Sequence, residues 1–219
     1  MIFQLDAELI QFPHPSLAEP DGLLAVGGDL SIERLLLAYE NGIFPWYDQG
    51  SPILWYAPLE RFVLFPDQLR VSKSLEQVLR SNKFHLTENR CFDRVIRQCA
   101  NVTRKEQDGT WILPEMQEAY TNLHQAGYAH SVEVWEGEQL VGGLYGVQIG
   151  QVFCGESMFS LKSNASKVAL VHLARKEALN LIDCQIPSDH LKAMGAQTIR
   201  QQTYLNLLQT GLCPTDSNA

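Results

Sequence analysis

The chain has 219 residues, of which 45% are hydrophobic and 19% are charged, the balance of a globular protein with one large domain or two small ones. No apolar run approaches the ~20 residues of a membrane span, and the acid-containing start lacks the basic region of a secretion signal. The five cysteines are odd in number and lack metal-ligand spacing. This pattern is typical of reduced thiols in a cytoplasmic protein.

The charge is distributed unevenly along the chain. The net charge of −8 argues by itself against a nucleic-acid partner. Residues 61–105, however, hold ten of the seventeen basic residues and four acids, a net charge of +6 that leaves −14 for the rest. This asymmetry suits an anionic and a cationic ligand bound together, or it is a solvated helical face.

The first 60 residues carry six of the ten prolines and little strand signal. After the turn-forming run "FPHPSLAEPDGLLAVGGDL", a helix is predicted to begin at an N-cap on Ser31 and to end at Gly42. The segment "FPWYDQGSPILWYAP" then indicates a loop or short strands. We interpret residues 1–60 as an N-terminal cap region without an independent core.

From residue 61 the apolar period alternates between strand and helix. Strands are predicted for "RFVLF" and "FHLTE", and helices for "SKSLEQVLRSN", "CFDRVIRQCA" and residues 113–125. The runs "HSVEVWE" and "QLVGGLYGVQI" form a hairpin signal through "GEQ", and "QVFCGESMFS" follows as a strand. A helix with Asn164 as N-cap, the strand "LNLIDCQI" and two short helices complete the chain.

A helix, a hairpin, a longer strand, a helix and a final strand are the layout of a GCN5-related N-acetyltransferase-like domain. The sequence therefore predicts an α/β (α+β) fold with two parts. A smaller N-terminal part covers residues 1–60 and extends with mixed α/β elements to about residue 110. An acetyltransferase-like catalytic domain covers residues 111–219.

Motifs of other enzyme classes are incomplete in this chain. "GESMF" has Phe159 where the serine-hydrolase elbow needs its last glycine, and "GGLYG" lies inside a predicted strand and does not open a helix. His172 has no obvious ligand partner on its helix, and Cys184 lies in an apolar strand, where thiols are usually inert. The sequence predicts no metal site.

One carboxylate interrupts an apolar strand. Glu156 lies between Val152 and Phe153 on one side and Met158 and Phe159 on the other. A buried carboxylate without a partner is costly, so Glu156 is exposed, paired or functional.

A second polar group occurs in "LIDCQ". Strict alternation puts Asp183 and Gln185 on one face and Ile182 and Cys184 on the other. An acid beside an amide suits a bound amine, and capping of the following segment is the simpler role for Asp183.

The four tryptophans fall into two groups. Trp46 and Trp111 lie in loop contexts beside proline or glycine, where an exposed ring suits stacking on a nucleobase. Trp55 and Trp135 lie in strand-like contexts and are predicted to be structural.

Nine motifs, in order over about residues 12–204, resemble the bacterial leucyl/phenylalanyl-tRNA–protein transferases. They are "DGLLAVGGDL", "YENGIFPWY", "PILWYAP", "GTWI", "AHSVEVW", "LVGGLYG", "FCGESMFS", "NASKVAL" and "LIDCQ" with its following "HL", "GA" and "R". The resemblance implies an enzyme that moves leucine or phenylalanine, and methionine less well, from aminoacyl-tRNA to proteins that begin with arginine or lysine. The product carries a degradation signal.

The resemblance also implies the site. Trp46 and Trp111 would hold the terminal adenosine of the tRNA. Glu156 would face the basic N-terminal residue of the acceptor, and Asp183 with Gln185 would hold and activate its α-amino group. The pocket for the transferred side chain would consist of Leu144, Phe153, Met158, Ser160, Leu170 and Ile182. No metal or cofactor is implied, and "SNASK" lacks the glycine-rich pyrophosphate loop of true acetyltransferases.

These expectations include one about geometry. Simple alternation puts Phe153 and Met158 on opposite faces of their strand, so both can line one pocket only if a bulge lies near Gly155. Two other functions remain open: an acetyl-CoA-dependent N-acyltransferase of the same fold, and a non-catalytic module that binds tRNA 3′ ends. The sequence shows no strong self-association motif, so we expect a monomer.

Overall fold

A computed structural model describes residues 1–102, 112–176 and 178–210, and it confirms the mixed α/β class. The described residues form two sheets. The strands are β1 Phe3–Leu5, β2 Leu23–Gly27, β3 Phe44–Pro45, β4 Leu54–Tyr56, β5 Glu60–Leu64, β6 His85–Glu88, β7 Ala129–Glu136, β8 Gln139–Ile149, β9 Val152–Ser160, β10 Leu181–Gln185 and β11 Gln197–Arg200.

Helices cover both faces of the larger sheet. They are α1 Ile32–Glu40, α2 Lys73–Arg80, α3 Phe92–Asn101, α4 Pro114–Gln125, α5 Ala165–Ala174, α6 Asp189–Ala193 and α7 Gln201–Thr210. The segments Pro15–Leu17 and Pro66–Gln68 are short 3-10 helices. Among the described residues, no helix combines the length and the apolarity that a membrane crossing requires.

The N-terminal region contains more strand than its sequence predicts. Strands β1, β2, β4 and β3 form a small sheet in that order. Each strand has only two to five residues and is bounded by turn-forming residues, so the turn signal obscures the strand signal. Strand β2 pairs in parallel with β1 and antiparallel with β4, and these pairings place Leu24 and Trp55 in the core.

The larger sheet has seven strands in the order β11-β5-β10-β9-β8-β7-β6. Its neighbours are antiparallel except β9 and β10, which are joined through α5 as a parallel pair. The predicted order of helix, hairpin, longer strand, helix and final strand is therefore confirmed. The sequence missed β11, which is short and mostly exposed.

Two hydrophobic clusters lie on opposite faces of the larger sheet. One cluster joins Leu24 and Trp55 of the N-terminal region with Tyr120 of α4 and Tyr145 of β8. The N-terminal region thus contributes its buried side chains to a shared core. The other cluster packs α5 against the opposite face, and both Phe153 and Ile182 belong to it.

The ends of α1 follow the predicted signals. The Ser31 hydroxyl accepts the backbone N–H of Arg34, and Gly42 follows the helix with φ +70°. A Cβ at Gly42 would lie 2.9 Å from a Leu205 side-chain carbon and 3.0 Å from one of Tyr204. Glycine therefore permits both the left-handed turn and the close approach of α7.

Candidate active site

Strands β9 and β10 separate at their carboxyl ends. Their parallel pairing covers Leu181 with Val152, Ile182 with Phe153 and Asp183 with Cys154. Beyond these three pairs β10 is irregular, since its register against β5 shifts between Asp183 and Gln185. The register of β9 against β8 also shifts there. The gap between the separated strands is the opening of a cavity.

A bulge in β9 accompanies this separation and confirms the prediction made for Gly155. Gly155 pairs with Gly146 and Ser157 pairs with Tyr145, so Glu156 is an extra residue on β9. The bulge reverses the alternation along the strand. As a result Phe153 and Met158 both line the cavity, and the carboxylate of Glu156 lies at its polar end.

The cavity has a volume of about 750 Å³ and contains two chemically different parts. Its apolar wall includes five of the six residues expected to form the aminoacyl side-chain pocket: Leu144, Phe153, Met158, Leu170 and Ile182. Its polar end includes Glu156, Asp183 and Gln185.

The sixth residue, Ser160, does not line the cavity. It is exposed at the end of β9, where its hydroxyl donates to the Lys162 carbonyl at 2.8 Å and accepts the Ser166 N–H at 3.3 Å. The side chain of Ser160 therefore holds the turn that leads into α5.

Glu156 is buried among neutral hydrogen-bond partners. Its Oε1 atom accepts the Tyr39 hydroxyl at 2.7 Å and the Gln185 side-chain amide at 2.9 Å, and its Oε2 atom lies 3.2 Å from the Tyr120 hydroxyl. The two tyrosine hydroxyls are also hydrogen-bonded to each other. Each hydroxyl carries one hydrogen, so all three contacts among Tyr39, Tyr120 and Glu156 are satisfied only when the carboxyl group supplies a third.

The surroundings of Glu156 favour that protonated form. Burial raises the pKa of Glu156 to about 7 and outweighs the hydrogen bonds from Tyr39, Gln185 and Tyr120, which lower it. The negative charge of Asp183 raises it further. Burial and the Glu156 charge also raise the pKa of both tyrosines, which therefore remain neutral donors.

Asp183 has a cation as its main partner. The side chain is fully buried, and it accepts hydrogen bonds from Arg61 Nε at 2.9 and 3.0 Å and from Arg61 Nη2 at 2.7 Å. The Tyr204 hydroxyl donates to it at 2.7 Å, and the backbone N–H of Gln185 donates at 2.9 Å. The last contact is the capping role considered for Asp183, and it helps to hold Gln185 at φ +61°.

Arg61 completes this ion pair and is itself buried. Its guanidinium carbon lies 4.6 Å from the ring centroid of Phe44 and 4.7 Å from that of Tyr204, and Nη1 donates to the Gly42 carbonyl at 3.1 Å. Burial alone would lower the pKa of Arg61, but the adjacent carboxylate of Asp183 more than offsets this and raises it.

Sequence reasoning missed Arg61, Tyr204, Tyr39 and Tyr120. Arg61 was counted with the basic segment of the chain, and the tyrosines were unremarkable in apolar helices. The usable signal was the arginine at the start of the apolar strand "RFVLF", because an arginine that is buried with such a strand needs an acid as partner.

The tryptophans differ in their surroundings. Trp46 lies at the cavity, half-buried, with its ring 5.6 Å from that of Tyr56. Trp111 lies outside the described residues. Trp55 is fully buried and donates from its indole to the Gly27 carbonyl at 2.8 Å, and Trp135 is nearly buried, as expected for structural residues.

The sheet order and the cavity between β9 and β10 define an acyltransferase-like α/β domain. Residues 28–59 match the N-terminal domain of the leucyl/phenylalanyl-tRNA protein transferases, and residues 63–209 match the leucyl/phenylalanyl-tRNA protein transferase family itself. The chain therefore belongs to this family, and the resemblance seen in its motifs is confirmed.

Curated relatives match over most of both chains. A leucyl/phenylalanyl-tRNA–protein transferase of Syntrophobacter fumaroxidans is 58% identical, with 94% of this chain and 89% of that protein covered. The protein of the same name from Syntrophus aciditrophicus is 55% identical, with 94% of this chain and 87% of that protein covered. The one from Pseudomonas fluorescens is 50% identical, with 95% of this chain and 94% of that protein covered.

A likeness to one solved structure is much weaker. A GCN5-related N-acetyltransferase from Kribbella flavida aligns with 74% of this chain and 58% of its own at 12% identity and a TM-score of 0.33. This likeness is too weak to indicate a shared function.

Proposed function

We propose that this protein transfers leucine or phenylalanine, and methionine less well, from aminoacyl-tRNA to the N-terminal arginine or lysine of acceptor proteins. The reaction forms a peptide bond and creates a degradation signal. The observation that carries the proposal is the division of one cavity into an apolar wall and an acidic end. An apolar acyl donor and a cationic acceptor suit these two ends.

The apolar wall suits the side chain of the donor amino acid. A cavity of about 750 Å³ is within the size range of small-molecule sites. One methylene group changes affinity by only about 1–3 kcal/mol in such a wall, and Met158 is a flexible side chain that adapts to different shapes. A donor set of leucine, phenylalanine and methionine follows from this tolerance.

The ring of Trp46 suits the terminal adenosine of the tRNA, with Trp111 as the second stacking residue. Stacking of a base on an aromatic side chain contributes about 1–3 kcal/mol. Trp46 is half-buried at the cavity, so one part of the ring is supported by Tyr56 while another remains accessible.

The acidic end suits the N-terminal residue of the acceptor. A free α-amine has a pKa of about 7.7–8.0, so it must lose a proton before it attacks. Glu156, with a pKa of about 7, is matched to accept that proton near neutral pH. The neutral amine nitrogen then bonds to the ester carbonyl carbon and loses a second proton as the ester C–O bond breaks, and the ribose oxygen takes up that proton and leaves as a hydroxyl group.

Asp183 acts on this step through Gln185. Its side chain is paired with the cation Arg61 and also accepts from Tyr204 and the N–H of Gln185, whereas Glu156 has no such cation, so we assign Asp183 a positioning role. Gln185 in turn bonds to Glu156. The three residues thereby hold the α-amino group and the proton acceptor in one fixed arrangement.

The test is transfer of radiolabelled leucine from charged tRNA to a peptide that begins with arginine. The same peptide beginning with alanine is the acceptor control, and acetyl-CoA is the alternative donor. We expect transfer only from tRNA and only to the arginine peptide. Transfer from acetyl-CoA would favour the N-acyltransferase, and tRNA binding without transfer would favour the binding module.

The proposal also covers the setting of the reaction. The aminoacyl ester is already activated, so the reaction needs no cofactor or metal ion. Charged tRNA is available in the cytoplasm, and the sequence shows no strong self-association motif. We therefore place the protein in the cytoplasm as a monomer, which size-exclusion chromatography with light scattering would check.

A further inference from the structure

A second cavity lies where the hairpin of β7 and β8 turns, next to the start of α3. It has a volume of about 490 Å³, and its lining includes His85, Arg90, Arg94, Trp135 and Glu138. The guanidinium carbons of Arg90 and Arg94 lie 5.5 and 5.3 Å from the ring centroid of Trp135. The His85 ring stacks on the same indole at 5.9 Å with an interplanar angle of 9°. We call this group the basic cleft.

A buried carboxylate fixes both sides of the basic cleft. Glu133 is fully buried and accepts the hydroxyls of Thr87 and Ser131 and the backbone N–H groups of Arg90 and Cys91, the last two at 3.4 Å. Thr87 in turn accepts the indole N–H of Trp135 at 2.9 Å. The indole and the chain that carries the arginines are thus held by one network.

Within the described residues, the two arginines of the basic cleft have no ion-pair partner, although the Glu138 side chain also lines the cleft. Arg90 and Arg94 are both exposed. The neighbouring Glu136 already has two lysine partners, at 3.6 and 3.8 Å. Two guanidinium groups are therefore available to an anion in a chain whose net charge is −8.

We propose that the basic cleft binds phosphate groups of the ribose–phosphate backbone of the donor tRNA, away from its aminoacyl end. Guanidinium groups match phosphate geometry with two parallel hydrogen bonds, and an arginine supported by an aromatic ring loses less freedom on binding. The proposal rests on the proposed function, since that function supplies the tRNA. The proposal assigns an anionic ligand to Arg90 and Arg94 of the basic segment 61–105.

The position of the basic cleft agrees with this ligand. Strand β8 begins at Gln139, next to Glu138 of the cleft, and continues to Tyr145 at the active-site cavity. Six residues of strand span about 20 Å, the length of roughly six phosphates along one strand of a stacked helix. An RNA whose 3′ end enters the cavity would place its backbone within reach of the cleft.

The first test is binding of fluorescein-labelled uncharged tRNA, followed by anisotropy at 50 and 200 mM salt. The double variant Arg90→Gln/Arg94→Gln is compared with Arg97→Gln/Arg175→Gln, which removes the same charge at exposed positions outside the cleft. Loss of two phosphate contacts makes tRNA binding less sensitive to salt. The Kd at 200 mM salt divided by the Kd at 50 mM salt should therefore be about tenfold smaller for the cleft variant than for the unmodified protein. The control pair is expected to stay within about twofold of the unmodified protein. A cleft variant that behaves like the unmodified protein, or no differently from the control pair, would overturn the proposal.

The second test separates phosphate binding from damage to the active site. An aminoacyl adenosine has no phosphodiester, so the cleft variant should use it as donor as well as the unmodified protein does, while its KM for aminoacyl-tRNA rises. Equal losses with both donors would show a structural defect and overturn the proposal. If the unmodified protein transfers from neither donor, the proposed function fails, and the anisotropy experiment still decides whether the cleft binds RNA.

Discussion

Two buried carboxylates lie on either side of Gln185 and differ in the partners that surround them. Asp183 is paired with a cation, Arg61, at 2.7 Å, whereas the hydrogen-bond partners of Glu156 among the described residues are the neutral groups of Tyr39, Tyr120 and Gln185. Gln185 joins the two regions, because its backbone N–H bonds to Asp183 and its side chain bonds to Glu156.

This difference separates a structural carboxylate from a proton-exchanging one. A neighbouring cation stabilises the charged form of a buried acid. Burial stabilises the neutral form when hydrogen bonds from neutral donors only partly offset the loss of solvation. Asp183, held by Arg61, therefore fixes geometry, and Glu156, with a pKa of about 7, gains and loses a proton near neutral pH. Substitutions around Asp183 should change stability and leave the pH dependence of the rate unchanged, and substitutions around Glu156 should change that pH dependence.

The largest effect is expected from Arg61→Met. This substitution leaves the carboxylate of Asp183 buried without its cation, which typically costs about 3–5 kcal/mol of unfolding free energy. Denaturant unfolding monitored by circular dichroism measures this loss. The double variant Arg61→Met/Asp183→Asn is the control, because it removes both charges. We expect it to be more stable than the single variant, and equal or lower stability would contradict the ion-pair account.

The next effect is on catalysis by Glu156→Gln. The amide keeps the shape of the side chain and cannot accept a proton, so we expect kcat/KM to fall about 10²- to 10⁴-fold, the usual contribution of a general base. In the unmodified protein kcat/KM should rise through pH about 7 as Glu156 ionises. In the variant, the change of kcat/KM near pH 7 should be absent, and the change caused by titration of the α-amine at about 7.7–8.0 should remain. A pH–rate profile that retains the limb near 7 would assign it to another group.

The same variant should remove a pH dependence of stability. The pKa of Glu156 is raised from 4.5 to about 7 by folding, so between these values the folded protein retains a proton that the unfolded chain has released. Stability therefore falls as the pH rises from 4.5 to 7, by on the order of 3 kcal/mol, and stays lower above pH 7. Glu156→Gln removes this contribution. Its stability relative to the unmodified protein should rise from pH 5 to pH 8 in denaturant titrations, and a constant difference would exclude the raised pKa.

The sequence predicted the larger sheet well because each of its main strands carries its own signal. Strands β7, β8 and β9 have a two-residue period or an apolar run within one continuous segment, and the β9 bulge followed from the need to align Phe153 with Met158. The N-terminal sheet was missed because its strands are too short to show a period.

The site was predictable only in part. Glu156, Asp183 and Gln185 were visible as polar residues in apolar strands. Arg61 was not identified as the partner of Asp183, because the two are separated by 122 residues and only the tertiary fold brings them together. Ser160 was expected in the pocket, yet it lies past the bulge at the exposed end of its strand.

The smallest effects should come from two matched tyrosine substitutions, which test the difference between the regions directly. Tyr39→Phe and Tyr204→Phe each remove a buried hydroxyl that donates at 2.7 Å to a carboxylate. Each loss should cost about 1–3 kcal/mol of stability. Only Tyr39→Phe should change the pH–rate profile, because the Tyr39 hydrogen bond lowers the pKa of Glu156 and its loss moves the limb near 7 to higher pH. Tyr204→Phe leaves Arg61 in place on Asp183, so its limb should stay where it is. A shift of equal size in both variants would mean that the two carboxylates titrate as one unit, and Gln185 would then couple their charges as well as their positions.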